Sequence, residues 1–357
     1  MGVLCDARGD DRGRERAEGR GVSVSGEGVP LVVITRAVPT ESGGAPEIDG
    51  CRVRMAAAEP GMTRAELLAS IRGAAGVVSM FNDRVDAEFL AAAGPGLKVV
   101  CNYAVGVDNI DLPACRRAGV PVAHLPDAVT EGTANMAMGL LLCVARRLPA
   151  GDAYVRSGAF ASKGNGFPIG WMGMHLAGQT MLIVGAGRIG LAVARRARAF
   201  GMRVRYVARS AHREFEGGEI GGERVELDAG LAEADVVSLH VPLTAQTRHL
   251  LDRRRIGLLK PTAIVINTAR GAVVEEAALI EALEAGRIWG AGLDVFEHEP
   301  EVPAALRALE NVVLSPHVGS SERYWRIRMT ELACANVAAG VAGRPLVSPV
   351  PEWMYAV

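Results

Sequence analysis

An α/β chain built from two doubly wound parallel sheets is what this sequence predicts, and three observations carry the expectation. Strand-like apolar runs alternate with helical patterns from Leu31 onward. The alternation occurs in two sets, separated by a long apolar helix pattern. The second set opens with MLIVGAGRIGLAVARRARAFGMRVRYVARS, residues 181–210, which reads as strand, tight glycine turn, helix and strand. The 357 residues suit two domains, because single cores stop growing near ~250 to 300 residues. With 49% apolar residues, there is material for two sizeable cores.

Taken in order, residues 1–29 stand apart, rich in Gly, Arg, Asp and Glu with few large apolar residues; they are expected to be a disordered extension. Strand-like runs at 31–35, 76–81, 97–101 and 120–124 then alternate with helical patterns at 63–72, 86–93 and 112–118. This predicts a parallel sheet of roughly a hundred residues' span without a glycine-rich turn of its own. After the turn signal Pro126-Asp127 a single helix is expected over 131–147, with Thr130 or a neighbour as its cap. The Gly-rich stretch 158–178, which contains Trp171, reads as a surface or intersubunit segment. The second set continues with strands at 235–241, 263–268, 290–296 and 312–315 and a helix over 275–285. A final helix, 321–342, is expected to pack back onto the first unit. Residues 30–128 with 318–350 would then form one domain and 129–317 the other, with a cleft between the two crossings near Asp127 and His317.

Composition excludes several functions. A net charge of -1 and a pI near 6.7 give no electrostatic case for nucleic acid or an anionic membrane, and the acids of residues 1–29 nearly cancel their arginines. The longest apolar run, around 136–145, is too short to span a bilayer. The first residues lack the apolar core of a signal peptide. The six cysteines are scattered with no CxxC, as expected of reduced core residues in a cytoplasmic protein rather than a metal site or disulfide frame.

The glycines Gly185, Gly187 and Gly190 stand at the spacing G-x-G-x-x-G between a strand and a helix, which is the Rossmann dinucleotide pattern. The first permits a tight turn, the second lets a pyrophosphate approach the backbone, and the third lets helix and strand pack closely. Three charged residues follow the ends of later strands: Arg270, Glu299 and His317. Each alone has an ordinary explanation, as a surface ion pair, a helix-entry carboxylate or a satisfied histidine. Together, beside a dinucleotide turn, they form a consistent apparatus for moving a proton and a hydride.

The stretches NYAVGVDNIDL, VGAGRIG, LHVPLT, INTARGAVVEEAALIEALEAGRIWGAGLDVFEHEP and LSPHVGS, with the separations between Arg270, Glu299 and His317, resemble the D-isomer-specific 2-hydroxyacid dehydrogenase family across nearly all of 31–347. Within it the chain is most similar to the glyoxylate and hydroxypyruvate reductases. The resemblance implies a flavodoxin-like substrate domain, a Rossmann cofactor domain, a homodimer and a small 2-oxo acid substrate. It makes His317 the proton donor, Glu299 its carboxylate partner and Arg270 the substrate anchor, with the backbone N–H groups of Val105 and Gly106 as a second carboxylate site. Phe81, with Asn82 beside it, would line the variable end of the pocket. Thr133 and Asp294 would lie near the nicotinamide, Arg188 and Ile189 at the pyrophosphate, and Pro242 and Thr247 on the adenosine side. Thr268 and Gly319 complete the implied cofactor set.

The end of the second Rossmann strand bears on the choice of cofactor. NAD-preferring members carry an acidic residue there to bond the ribose 2′-OH; here the slot holds Ala208, followed by Arg209 and Ser210, with His212 and Arg213 beyond. NADPH is therefore expected over NADH. Trp171 is displaced by about one position from the family pattern, and Gly132 and Asn135 depart from it, which is expected to tune the hinge helix. Alternatives are another 2-oxo acid such as 2-ketogluconate, or a dinucleotide-sensing binding protein on the same fold.

Overall fold

Two parallel sheets, each clothed by helices, make up the computed structural model, which describes residues 28–57, 61–163, 171–352 and 354. Residues 1–27 of the expected extension and 164–170 of the glycine-rich stretch lie outside the described residues. The first sheet contains β1 (Leu31–Ile34), β2 (Arg52–Met55), β3 (Gly76–Ser79), β4 (Val99–Asn102) and β5 (Val122–Ala123) in the order β2-β1-β3-β4-β5, every pair parallel. That is the flavodoxin-like order. β1, β3 and β4 are buried along their whole length, as their uninterrupted apolar runs require of strands covered on both faces. β2 escapes sequence reading because it is an edge strand, RVRM, whose alternate residues are exposed. Helices α1 (Arg64–Ser70), α2 (Ala87–Ala93) and α3 (Leu112–Arg117) start at Thr63, Asp86 and Asp111, whose side chains accept from the backbone N–H groups of Glu66, Phe89 and Ala114. Each cap satisfies a donor that the first turn leaves unpaired.

The linking helix differs from expectation. It runs as α4 (Thr130–Ala145), and the chain then breaks at Arg147, whose φ is 52°, before α5 (Leu148–Arg156) and α6 (Ala159–Lys163). Pro149 explains the break: without an N–H it fits the first turn of a new helix and not the interior of an old one. Nor does Thr130 cap α4, since its hydroxyl donates back to the Pro126 carbonyl at 3.3 Å.

The second sheet contains β6 (Thr180–Val184), β7 (Arg203–Val207), β8 (Glu223–Arg224), β9 (Val236–Leu239), β10 (Ile264–Asn267), β11 (Gly290–Leu293) and β12 (Val312–Leu314), ordered β12-β11-β10-β9-β6-β7-β8 and wholly parallel. Its connections are α7 (Arg188–Ala199), α8 (Arg213–Glu216), α9 (Leu227–Glu233), α10 (Arg253–Ile256), α11 (Glu276–Glu284) and α12 (Ala304–Ala308). Strand order reverses between β6 and β9, and ligands of such sheets bind outside the carboxyl ends of the strands at that point. α4 closes one face of the sheet through Ala134, Ala137, Leu141 and Val144.

The last helix, α13 (Arg323–Val341), leaves the second sheet and lies on the first. Its contact with β4 is close because position 340 is glycine: a Cβ there would stand 2.5 Å from the Cβ of Val99. Tyr103, just past β4, donates from its hydroxyl to the Arg326 carbonyl at 2.7 Å and locks the same interface. Among the described residues no helix is long and apolar enough to cross a membrane. Cys101 and Cys115 are buried in the first core, and burial pushes the Cys115 thiol up to about 11.

The Gly340 contact yields a test. Gly340→Ala must push α13 off β4 and is expected to cost about 1–3 kcal/mol, read as a lower urea midpoint with an unchanged slope. An unchanged midpoint would show that this contact is not tight.

Candidate active site

The glycine turn after β6 divides its work in three. Gly185 has φ 108°, and a Cβ on it would meet the His240 carbonyl group at 2.7 Å. At Gly190 a Cβ would stand 2.2 Å from the Gly185 oxygen, so α7 can approach β6 only with glycine there. At Gly187, which caps α7, a Cβ would meet nothing within 4 Å. The middle glycine therefore faces open space at a helix N-terminus, where backbone N–H groups favour an anion.

That space is a cavity of about 590 Å³ between the two sheets. Val105, Gly106 and Asp108 line it from the first sheet; Gly187, Arg188, Ile189, His240, Pro242, Thr268 and Arg270 line it from the second. Thr268 carries the one buried side-chain oxygen that lacks a hydrogen-bond partner among the described residues. A buried orphan hydroxyl on a cavity wall calls for a polar ligand. With the open Gly187 turn it fits a dinucleotide, whose ribose hydroxyls and pyrophosphate would supply the missing partners. His240 faces the turn from the end of β9, its Nε2 2.8 Å from the Ser238 hydroxyl. Although part of its surface borders the cavity, burial lowers its pKa to about 3, so it is a neutral ring there.

His317 and Glu299 are not among the residues lining this cavity, but Arg270, which lines it, is close enough for its charge to act on Glu299. The His317 Nδ1 is 2.8 Å from Glu299 Oε2, while Glu299 Oε1 accepts from the Phe296 N–H at 3.0 Å. Because Nδ1 is taken, Nε2 is the nitrogen left for a substrate. Burial pushes the Glu299 carboxyl up, but the hydrogen bond and charge of His317, the Phe296 N–H and the charge of Arg270 outweigh it, and its pKa falls below the ordinary value. Phe81 lies against the imidazole, ring centroids 4.4 Å apart at 37°. His317 has φ 54°, an uncommon backbone conformation for a non-glycine residue, and its N–H donates to the Asp294 carbonyl at 2.8 Å.

Asp294 fixes that turn from below. Its carboxylate accepts from the Ser315 hydroxyl, from the Val318 N–H at 2.9 Å and from the Gly319 N–H at 2.7 Å. Burial raises its pKa, an effect that these bonds only partly offset. A Cβ on Gly319 would be 2.9 Å from Asp294 Oδ2 and 3.6 Å from the Thr133 side chain, so Thr133, Asp294 and Gly319 do converge.

Arg270 reaches across the cleft. Its Nε donates to both oxygens of Asp108, at 3.0 and 3.1 Å, and its Nη1 donates to the Ala269 carbonyl at 2.9 Å. Its Nη2 lies against the NYAVG loop, where a Cβ on Gly106 would be 2.0 Å away. The N–H groups of Val105 and Gly106 have no hydrogen-bond partner among the described residues. The loop is held by the Asn102 amide, donating to the Gly106 carbonyl at 2.7 Å, and by His124 Nδ1, 2.9 Å from the Val105 carbonyl. Sequence reading missed Asp108, Asn102 and His124. The signal for Asp108 was present as the acid of VGVDNID, but nothing in the chain tied it to an arginine 162 positions away.

Other expected residues stand as follows. Ile189 packs between the two cores, and Arg188 pairs with Asp127 at 3.0 Å on the exposed rim of the crossing. Pro242 lines the cavity, whereas Thr247 turns inward on its own loop, donating to the Pro242 carbonyl at 2.6 Å and accepting from the Thr244 N–H at 2.8 Å. Arg209 and Ser210 are exposed at the end of β7, outside the cavity lining. Asn135 bridges Arg196 on α7, at 2.9 Å, and Glu322 at the start of α13, at 2.8 Å. Trp171 lies on Tyr154 of its own chain, ring centroids 5.4 Å apart, and under the Arg147 guanidinium.

The depressed Glu299 pKa has a pH consequence. A carboxylate with a lowered folded-state pKa contributes stability that is present above its ordinary 4.5 and lost as the pH falls through the folded value. Glu299→Gln is expected to lower Tm by roughly 2 to 4 °C at neutral pH and to flatten the acid-side decline below about pH 4.5. Thermal scans across that range check it; parallel declines for the two proteins would overturn it.

Comparison with known proteins agrees with this geometry. The family model for the NAD binding domain of D-isomer specific 2-hydroxyacid dehydrogenases matches residues 138–319. A glyoxylate reductase of Thermococcus onnurineus is 46% identical over 311 residues, 87% of this chain and 92% of that protein. One from Pyrococcus furiosus is 44% identical with the same coverage. Among solved structures, the TT0316 protein of Thermus thermophilus superimposes with a TM-score of 0.82 at 43% identity, covering 90% of this chain and 100% of that one. An NADPH-dependent glyoxylate/hydroxypyruvate reductase of Sinorhizobium meliloti, in complex with NADP and malonate, gives 0.79 at 32%, covering 91% and 97%. A glycine turn shaped for a dinucleotide, a histidine-carboxylate pair, a cleft arginine and these matches over most of the chain lead to one conclusion: the chain belongs to the D-isomer specific 2-hydroxyacid dehydrogenase family, close to its glyoxylate reductases.

Proposed function

We propose that this chain reduces glyoxylate or hydroxypyruvate with NADPH to the corresponding D-2-hydroxy acid, using His317 as proton donor. The coarser reading, a nicotinamide-dependent oxidoreductase acting on 2-oxo acids, follows from family membership. The observation that carries the proposal is the His317–Glu299 pair set beside an arginine held at the mouth of the NYAVG loop.

The residues account for the chemistry in order. Arg270 Nη2 and the N–H groups of Val105 and Gly106 hold the substrate carboxylate between the two sheets. Thr268 and the Gly187 turn orient the dinucleotide, whose reduced nicotinamide supplies the hydride when bound. As hydride reaches the carbonyl carbon, negative charge grows on its oxygen, and His317 Nε2 delivers a proton there. Glu299 on Nδ1 holds the ring in place and leaves Nε2 for the substrate oxygen. Phe81, stacked on His317, excludes water from one side and borders the variable end of the substrate.

NADPH is favoured because Ala208 occupies the position at which an acidic residue would bond the ribose 2′-OH and repel a phosphate, and Arg209 and Ser210 follow it on an exposed turn. The Sinorhizobium relative's NADPH dependence supports the same reading. A homodimer is proposed through α5 and its surroundings, where Leu148, Val155, Phe160 and Met172 are 53%, 57%, 45% and 65% exposed. Apolar groups so exposed on adjoining elements mark an association surface.

Two measurements test the reading. NADPH oxidation with a panel of small 2-oxo acids should be fastest with glyoxylate or hydroxypyruvate, with a higher kcat/KM for NADPH than for NADH; negligible turnover despite tight dinucleotide binding would make the chain a sensor. His317→Ala should lower kcat by about 10²- to 10⁴-fold while dinucleotide affinity stays unchanged. Intact turnover in that variant would remove His317 from the acid role.

A further inference from the structure

Arg224 stands on β8, the outermost strand of the second sheet, and reaches the end of β7. Its Nε donates to the Ala208 carbonyl at 3.0 Å and its Nη2 to the Arg209 carbonyl at 3.2 Å. These donors form the side edge of the guanidinium. The end-on edge, Nη1 with the second N–H of Nη2, is a two-pronged donor that matches two oxygens of a phosphate, and it has no acceptor among the described residues.

The neighbouring acids do not account for this arginine. Glu223 and Glu233 pair with Arg205, and Glu216 accepts from the Tyr206 hydroxyl. Two carbonyls on an exposed turn also do not require a cation, because water satisfies them at little cost. What Arg224 adds is position: it fixes the backbone of Ala208 and Arg209 and brings a second guanidinium to the turn that already carries Arg209 and the Ser210 hydroxyl.

We propose that Arg224 is a specificity-determining residue for the cofactor, tying down the 208–210 turn with its side edge and offering its end-on edge to the 2′-phosphate of the adenosine ribose. The inference rests on the NADPH reading above and adds a residue from a different strand to it. A guanidinium braced on two carbonyls has lost much of its rotamer freedom beforehand, so little further ordering is needed to grip a phosphate.

The test is calorimetric titration with ADP-ribose and with 2′-phospho-ADP-ribose, which reads binding without turnover. Arg224→Gln keeps a donor for a carbonyl and removes the charge; Arg224→Lys keeps the charge and removes the fork. The Gln variant should weaken 2′-phospho-ADP-ribose by about tenfold or more at low ionic strength and leave ADP-ribose within about twofold, and the Lys variant should fall between. If both fragments weaken equally in Arg224→Gln, the residue is only a structural tie and the assignment fails. An unchanged affinity for the phosphorylated fragment overturns it as well. Should the wild-type protein hold both fragments equally, the NADPH reading itself has failed, a result distinct from a phosphate preference that Arg224→Gln leaves intact.

Discussion

The buried carboxylate of Asp294 is the constraint on which the reactive end of the cleft depends. It sits at the end of β11, 1% exposed, and a charge in that position is costly unless its oxygens are answered. Ser315, Val318 and Gly319 answer them, and the Asp294 carbonyl takes the His317 N–H. One residue thus bonds four of the five positions 315–319, in a turn that includes a left-handed His317. Removing the carboxylate would strip three of these bonds and leave the turn tied to position 294 only through the His317 N–H and the backbone carbonyl. The family resemblance implied that Asp294 lies near the nicotinamide; its protein partners show that it also builds the platform under His317.

A second layer keeps Arg270 and Glu299 in register. Gly271, next to Arg270, lies so close to Phe296 that a Cβ would fall 1.9 Å from its carbonyl carbon. Glu276 and Glu297 each accept from the other's backbone N–H, at 3.2 and 3.3 Å respectively, and His249 Nε2 sits 2.6 Å from Glu297 Oε1. The turn carrying the arginine and the segment carrying Glu299 are therefore one rigid piece. Asp108 then couples that piece to the first sheet, because Arg270 is bonded to both its oxygens across the cleft. Relative movement of the two sheets must break or carry this pair, so opening and the position of the Arg270 guanidinium are linked.

How much of this was legible follows from the range of each interaction. Arg270, Glu299 and His317 could be found because each follows a run of apolar residues, and the rule that ligands sit at carboxyl ends needs no knowledge of packing. Their partners could not, since Asp108 meets Arg270 only after two sheets have formed and docked. β2 and β8 were invisible for a different reason: edge strands of four and two residues bury too little to impose an apolar pattern. The break at Arg147 was readable in Pro149, yet the apolar spacing around it favoured one continuous helix. At Thr130 a good capping residue was present, but its hydroxyl found the Pro126 carbonyl instead, a local competition that spacing alone cannot resolve.

The two ends of the cleft are also governed by different electrostatics. At the reactive end Asp294 is buried, and Glu299 and His317 are only 28% and 23% exposed along their side chains, so salt screens them weakly. At the adenosine end Ala208 is half-buried, while Arg209, Ser210 and Arg224 lie in solvent. Exposed charges act through water and contribute little each, about 0–1 kcal/mol per pair, unless several converge on one ligand. The proposed recognition of a phosphorylated ribose by this turn is therefore expected to be cooperative among its donors and to weaken as ionic strength rises. The His317–Glu299 pair is screened less, so under the proposed function cofactor choice is the more salt-sensitive property of the same fold.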